Sequence, residues 1–283
     1  MLTHQELFHA VVIPVLIAAV IAAIGAWRRW AFFMPLAVGV GFLVSYAMTG
    51  VPKLPPLDGS DWIFWMAIGL TVVAVADGTI GKSAGGLRFG WLLGAAVGVV
   101  AFVVLKPLAD VSAQVLWVTT GVFAVTGAAL VLVARVAEAR LGSFWTLAAF
   151  CIASSGAGVV ILSSDSRTIG VHGVAVAAAL GPVFVLGARL RAAQSVAILA
   201  APLIGGLLLA GHFYAGVTCT NMSVLLGAPL LLLVGAFLPL KQRWVRGLIG
   251  LVAVTVAVAA VTGPTALAAK KAAEADPYAD VYK

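Results

Sequence analysis

Apolar residues run along this chain in long, nearly unbroken blocks separated by short polar stretches. A helix needs about 20 mostly apolar residues to cross the hydrocarbon core of a bilayer. Ten blocks suit that role, near 8–26, 31–50, 62–77, 89–105, 113–134, 144–162, 168–188, 194–211, 222–238 and 247–267, the third being short. The connections hold Gly, Pro, Ser and charge, as in VPKLPPLDGSD at 51–61 and GTIGKSAGGLR at 78–88. Barrel strands would alternate over about 10 residues, and these blocks do not alternate. The pattern therefore predicts an all-α polytopic bundle of about ten spans over 1–267, followed by a polar C-terminal tail, 268–283.

Composition points the same way. Of 283 residues, 63% are hydrophobic and 10% charged, and mean hydropathy is +1.15. A soluble domain is about 25% charged, so a soluble enzyme, a disordered chain and a nucleic-acid module are all excluded. The net charge of +7 comes from Lys and Arg scattered between the blocks, which reads as membrane topology and not as a surface for nucleic acid.

The 17 basic residues test the span count. Connections after odd-numbered spans hold 11: Arg28, Arg29, Lys82, Arg88, Arg135, Arg140, Arg189, Arg191, Lys241, Arg243 and Arg246. Connections after even-numbered spans hold 3, Lys53, Lys106 and Arg167, and the tail holds 3 more. Basic residues resist translocation. The odd connections are therefore expected in the cytoplasm and both termini outside, in a bacterial inner membrane. The eight tryptophans all lie near expected span ends, where indole prefers the interface.

Small residues four apart on one helix face let another backbone approach. Gly90, Gly94 and Gly98 in span 4 follow that step, as do Gly173, Ala177 and Gly181 in span 7. Pro14 in span 1 and SSGAG at 154–158 in span 6 stand at comparable depth, as an inverted five-plus-five repeat would place them.

Candidate chemistry is sparse. ADGTIGKS at 76–83 fits a relaxed phosphate loop, but it follows a span and not a strand, so a Gly-rich turn is the plainer reading. Asp77 reads as an interfacial carboxylate near Lys82 or Arg88, with ion coupling as the other role. Ser154 and Ser155 lie near mid-membrane, as helix-packing hydroxyls or as a cavity wall. His4, His9, His172 and His212 all fall toward the outer side. His172 lies within a span and is the strongest functional candidate of the four. The outer connection HFYAGVTCTN at 212–221 adds Thr218 and Asn221 as a substrate lip; its sequon, Asn221–Met222–Ser223, crowds the next span too closely for a glycan. HExxH, GxSxG and CxxCH are absent, so no enzyme class is indicated. The two cysteines, Cys151 and Cys219, define no disulfide framework, and the residues identify no particular cofactor beyond a metal or haem at the histidines.

The architecture favours a transporter or permease for a small solute, with a cavity between spans 6 to 9 touching Ser154, Ser155, His172, Thr218 and Asn221. In length and span count the chain resembles the ten-helix drug/metabolite exporters of five-plus-five design. That likeness is one of size, without a shared motif, and those proteins have both termini in the cytoplasm. Two other readings stand beside transport. One is a non-catalytic membrane subunit, partnered by another membrane protein or a second copy. The other is an outer-side metal- or haem-binding protein with His172 and His212 as ligands.

Overall fold

The computed structural model describes residues 3–50, 59–80, 112–164 and 166–275. Span 4 with its glycine steps, residues 81–83 of the phosphate-loop match, and residues 276–283 of the tail lie outside the described residues. Among the described residues the chain forms nine helical rods and no strand. They are α1 (His4–Arg28), α2 (Phe33–Thr49), α3 (Gly59–Ile80), α4 (Ala113–Arg140), α5 (Ser143–Leu162), α6 (Arg167–Leu186), α7 (Ala193–Ala215), α8 (Cys219–Phe237) and α9 (Arg243–Ala275). Eight are long and apolar enough to cross a membrane, and α2 is a shorter apolar helix.

Local sequence explains where the rods begin and bend. Thr3, Ser112, Ser166 and Thr218 cap the N-termini of α1, α4, α6 and α8 through their hydroxyls. In α1, Phe8–Val12 widens into a π-turn just before Pro14. Proline lacks an N–H and its ring crowds the carbonyl four residues back, which the wider turn relieves. Pro229 tightens α8 into a 3₁₀ turn at Ala228–Leu231. Gly142, at φ +111°, lets the chain reverse between α4 and α5 within two residues. SSGAG does not break α5, which runs unbroken through 154–158. Nor does α9 stop where the polar tail was expected. It continues to Ala275, because Ala, Lys and Glu are strong helix formers and the span supplies the nucleus. Lys270 and Glu274 pair across one turn there at 3.7 Å.

Nearly every residue of α7 is buried, and α2, α3, α4, α5, α6 and α8 pack around it. Peripheral helices turn apolar stripes outward instead. Leu16, Val20 and Ile24 of α1 are exposed at steps of four, as are Leu248, Val252 and Val256 of α9. Contiguous apolar stripes of that kind suit lipid and would aggregate in water. This is a multi-pass membrane protein.

The most extensive helix pairing joins α5 and α6. A Cβ added at Gly158 would meet the Val174 backbone nitrogen at 2.7 Å, and one at Gly173 would meet the Gly158 Cα at 2.8 Å. The expected small-residue face of span 7 therefore serves an internal contact at Gly173, while Gly181 faces open space.

Contacts gather the helix ends into two sets. At one end Arg243 Nη2 donates to the Glu138 and Ala139 carbonyls at 3.2 and 3.3 Å, capping α4. Arg140 reaches the Ala236 carbonyl at 3.5 Å and lies over the Phe237 ring. The described basic residues that follow α1, α4, α6 and α8 belong to this end. At the opposite end Arg167 pairs with Glu6 at 2.5 Å, and Ser45 Oγ donates to the His9 carbonyl at 2.8 Å.

Candidate functional site

Two buried ionisable side chains sit inside the bundle, one toward each end. Asp77 lies near the end of α3 and is 6% exposed. Its carboxylate accepts from Ser195 Oγ at 2.7 Å and from Gln194 Nε2 at 3.4 Å, both in the first turn of α7. The Arg135 guanidinium of α4 acts on it electrostatically. Glu138 completes the arrangement. Its Oε1 accepts from the Ala193 N–H at 2.9 Å and from Ser143 Oγ. The N-cap position of α7 is Ala192, which has no side-chain acceptor. Glu138 of α4 serves instead by accepting from the Ala193 N–H, while Asp77 of α3 holds two side chains of the same turn, at the end where the helix dipole favours negative charge.

His172 lies in the second turn of α6, about 8 Å along the helix from Arg167, and is 2% exposed. Its ring stacks on Tyr46 of α2 at 4.0 Å between centroids, with Phe42 edge-on at 6.3 Å. Phe64 of α3 packs on the other side of this group, 5.3 Å from the Tyr46 ring. His172 Nδ1 is buried without a hydrogen-bond partner. Such an atom costs roughly 1–3 kcal/mol and calls for an explanation in a native structure.

The other expected site residues are placed differently. Ser154 Oγ donates to the Phe150 carbonyl at 2.8 Å and Ser155 Oγ to the Cys151 carbonyl at 2.9 Å, each back onto α5. Ser154 is buried, whereas Ser155 is exposed. Thr218 and Asn221 do meet, as cap and capped residue, and Asn221 Nδ2 donates to Thr265 Oγ1 of α9 at 3.3 Å. His172 faces α2, while His212, in the last turn of α7, contacts Val217 in the connection and Cys219 at the start of α8, so the expected 212–221 connection is helical except at 216–218. Among the described residues no hydrogen bond or ring contact joins the two histidines, and no three His, Cys, Asp or Glu side chains gather in a metal-binding group.

Sequence reasoning did not single out Glu138, Ser195, Gln194 or Tyr46. Glu138 carried one signal, as the lone acid in the basic stretch RVAEAR. The partner of Asp77 lies 118 residues away, a separation that no local pattern reveals.

No known protein family, curated protein or solved structure matches this chain.

Proposed function

We propose that this protein is a ten-span carrier for a small solute, with the basic helix ends in the cytoplasm and both chain termini outside. The tenth span is the 89–105 block. The positive-inside bias of Lys and Arg supports the orientation. His172 is the observation that carries the transport reading. An ionisable group inside a membrane bundle is costly, and such groups mark substrate or proton paths. This one is held in an aromatic seat with a ring nitrogen left unpaired.

The path in this reading follows α2, α3, α6 and α7, from His172 at the outer end to Asp77 at the inner end. That places it one step away from a cavity between spans 6 to 9, because the Ser154 and Ser155 hydroxyls are spent on their own helix. His172 offers a nitrogen to a polar solute or a proton, and Asp77 offers a carboxylate close to the cytoplasmic surface. The aromatic seat keeps the imidazole oriented while its Nδ1 stays unpaired.

The test is flux into proteoliposomes across a panel of small metabolites and ions, with a pH-sensitive dye inside. Wild-type protein should carry at least one solute above protein-free vesicles. His172→Phe keeps the stack on Tyr46 and removes both nitrogens. It should cut that flux about tenfold or more, the worth of one charge-assisted hydrogen bond, while the melting temperature holds. No flux above empty vesicles for any solute, or equal flux in the variant, would refute the reading.

A further inference from the structure

The connection between α7 and α8 folds back so that His212 and Cys219 meet. Cys219 Sγ lies 3.5 Å from His212 Nε2. His212 Nδ1 lies 2.5 Å from the Val217 carbonyl oxygen, which can only accept. Nδ1 therefore carries the proton, and Nε2 turns its lone pair toward the thiol. Cys219 is exposed and is the first residue of α8. Thr218 takes the next donors of that turn: its hydroxyl accepts from the Asn221 N–H and its carbonyl from the Met222 N–H. The Cys219 and Thr220 N–H groups belong to the first turn and have no carbonyl of their own helix to bond. They are fixed donors beside the sulfur, of the kind that stabilises a developing oxyanion.

We propose that Cys219 and His212 form a nucleophilic thiol–imidazole pair that takes acyl groups from thioesters at the bilayer surface. A nucleophile on a base, with a third group orienting that base, is the general arrangement for covalent catalysis. Here the Val217 carbonyl is the third group. As Sγ attacks the acyl carbon, the thiol proton passes to His212 Nε2. A bond forms between Sγ and the acyl carbon, and the bond from that carbon to the donor's sulfur breaks. The leaving thiolate takes the proton from Nε2, so the products are an acylated Cys219 and a free thiol. Exchange of sulfur for sulfur involves no oxidant or reductant. The acyl chain would lie along apolar α8 and the lipid beside it, where hydrocarbon is retained. This inference is independent of the transport reading, since it involves neither His172 nor Asp77.

The test uses the full chain in phosphatidylcholine nanodiscs, incubated with palmitoyl-coenzyme A and read by intact mass spectrometry with peptide mapping. One palmitoyl adduct on Cys219 is expected, absent in Cys219→Ser and retained in Cys151→Ser. His212→Ala should slow its formation about 10²-fold, the lower range for loss of a general base. His212→Asn retains a donor for the Val217 carbonyl and so holds the connection together, yet supplies no base; it should be slowed equally. Wild-type rates in both His212 variants, an adduct on Cys151 instead, or no adduct at all would overturn the proposal.

Discussion

Gly158→Ala perturbs the seam between α5 and α6 by a single methyl group. In a free helix the change stabilises, because alanine is better than glycine by up to about 1 kcal/mol. Here the new Cβ would stand 2.7 Å from the Val174 backbone nitrogen and 2.9 Å from the Val174 Cγ2. That is short of ordinary contact by about 0.7 Å, and the first obstacle is backbone, so the two helices must part. A gap of that size forfeits roughly a quarter to a half of each van der Waals contact along the seam, and overpacking of this type costs about 1–3 kcal/mol. Repulsion exceeds propensity, so the net sign is destabilising. After up to about 1 kcal/mol of propensity is offset, the net loss of as much as roughly 2 kcal/mol should lower the melting temperature by up to about 8 °C, at roughly 2–4 °C per kcal/mol for a large domain. The assay is thermal unfolding in detergent, followed by tryptophan fluorescence. Gly69→Ala is the control: nothing lies within 4 Å of a Cβ at that position of α3, so propensity alone acts and stability should hold or rise. Equal or greater stability in Gly158→Ala, matching Gly69→Ala, would refute the packing argument.

Asp77→Ala should leave Ser195 Oγ and Gln194 Nε2 without their acceptor and lower stability by about 1–3 kcal/mol. Asp77→Asn, which keeps an oxygen for Ser195, should lose less, and equal melting of the two variants would contradict a contribution from the Ser195 bond. Ser45→Ala removes the hydroxyl that donates to the His9 carbonyl across the α1–α2 contact. It should cost about 1 kcal/mol, read as a shift of the same unfolding transition, and no shift would mean that this bond contributes nothing.

Much of the architecture was legible because a bilayer imposes one simple demand, a run of apolar residues for each crossing. Each described rod overlies a predicted block, and the α4 and α9 rods extend beyond theirs because helix propensity continues past the apolar stretch. Gly173 was readable as a packing position from its four-residue step with Ala177, although its partner Gly158 was not, since that pairing depends on helix rotation. Histidine 172 was singled out for its place within a span, whereas its aromatic seat depends on how α2 and α3 turn toward α6. The carboxylates at the start of α7 were the least legible. An alanine at the N-cap position signals a missing acceptor, but nothing in the order of residues says that Glu138 supplies it from another helix, or that Asp77 holds the Ser195 side chain beside it. The Cys219–His212 contact is also a product of folding, made when Gly216, at φ +68°, turns the connection back on itself.

The most direct measurement is the sidedness of three positions in intact bacterial cells. A variant lacking both native cysteines receives one new cysteine, Arg28→Cys or Lys241→Cys, and Cys219 is restored singly as the third probe. A membrane-impermeant maleimide added outside should label Cys219, while Arg28→Cys and Lys241→Cys should react only after the membrane is opened. Labelling of Arg28→Cys and Lys241→Cys from opposite faces, or protection of Cys219 in sealed cells, would contradict the ten-crossing arrangement with its basic ends in the cytoplasm.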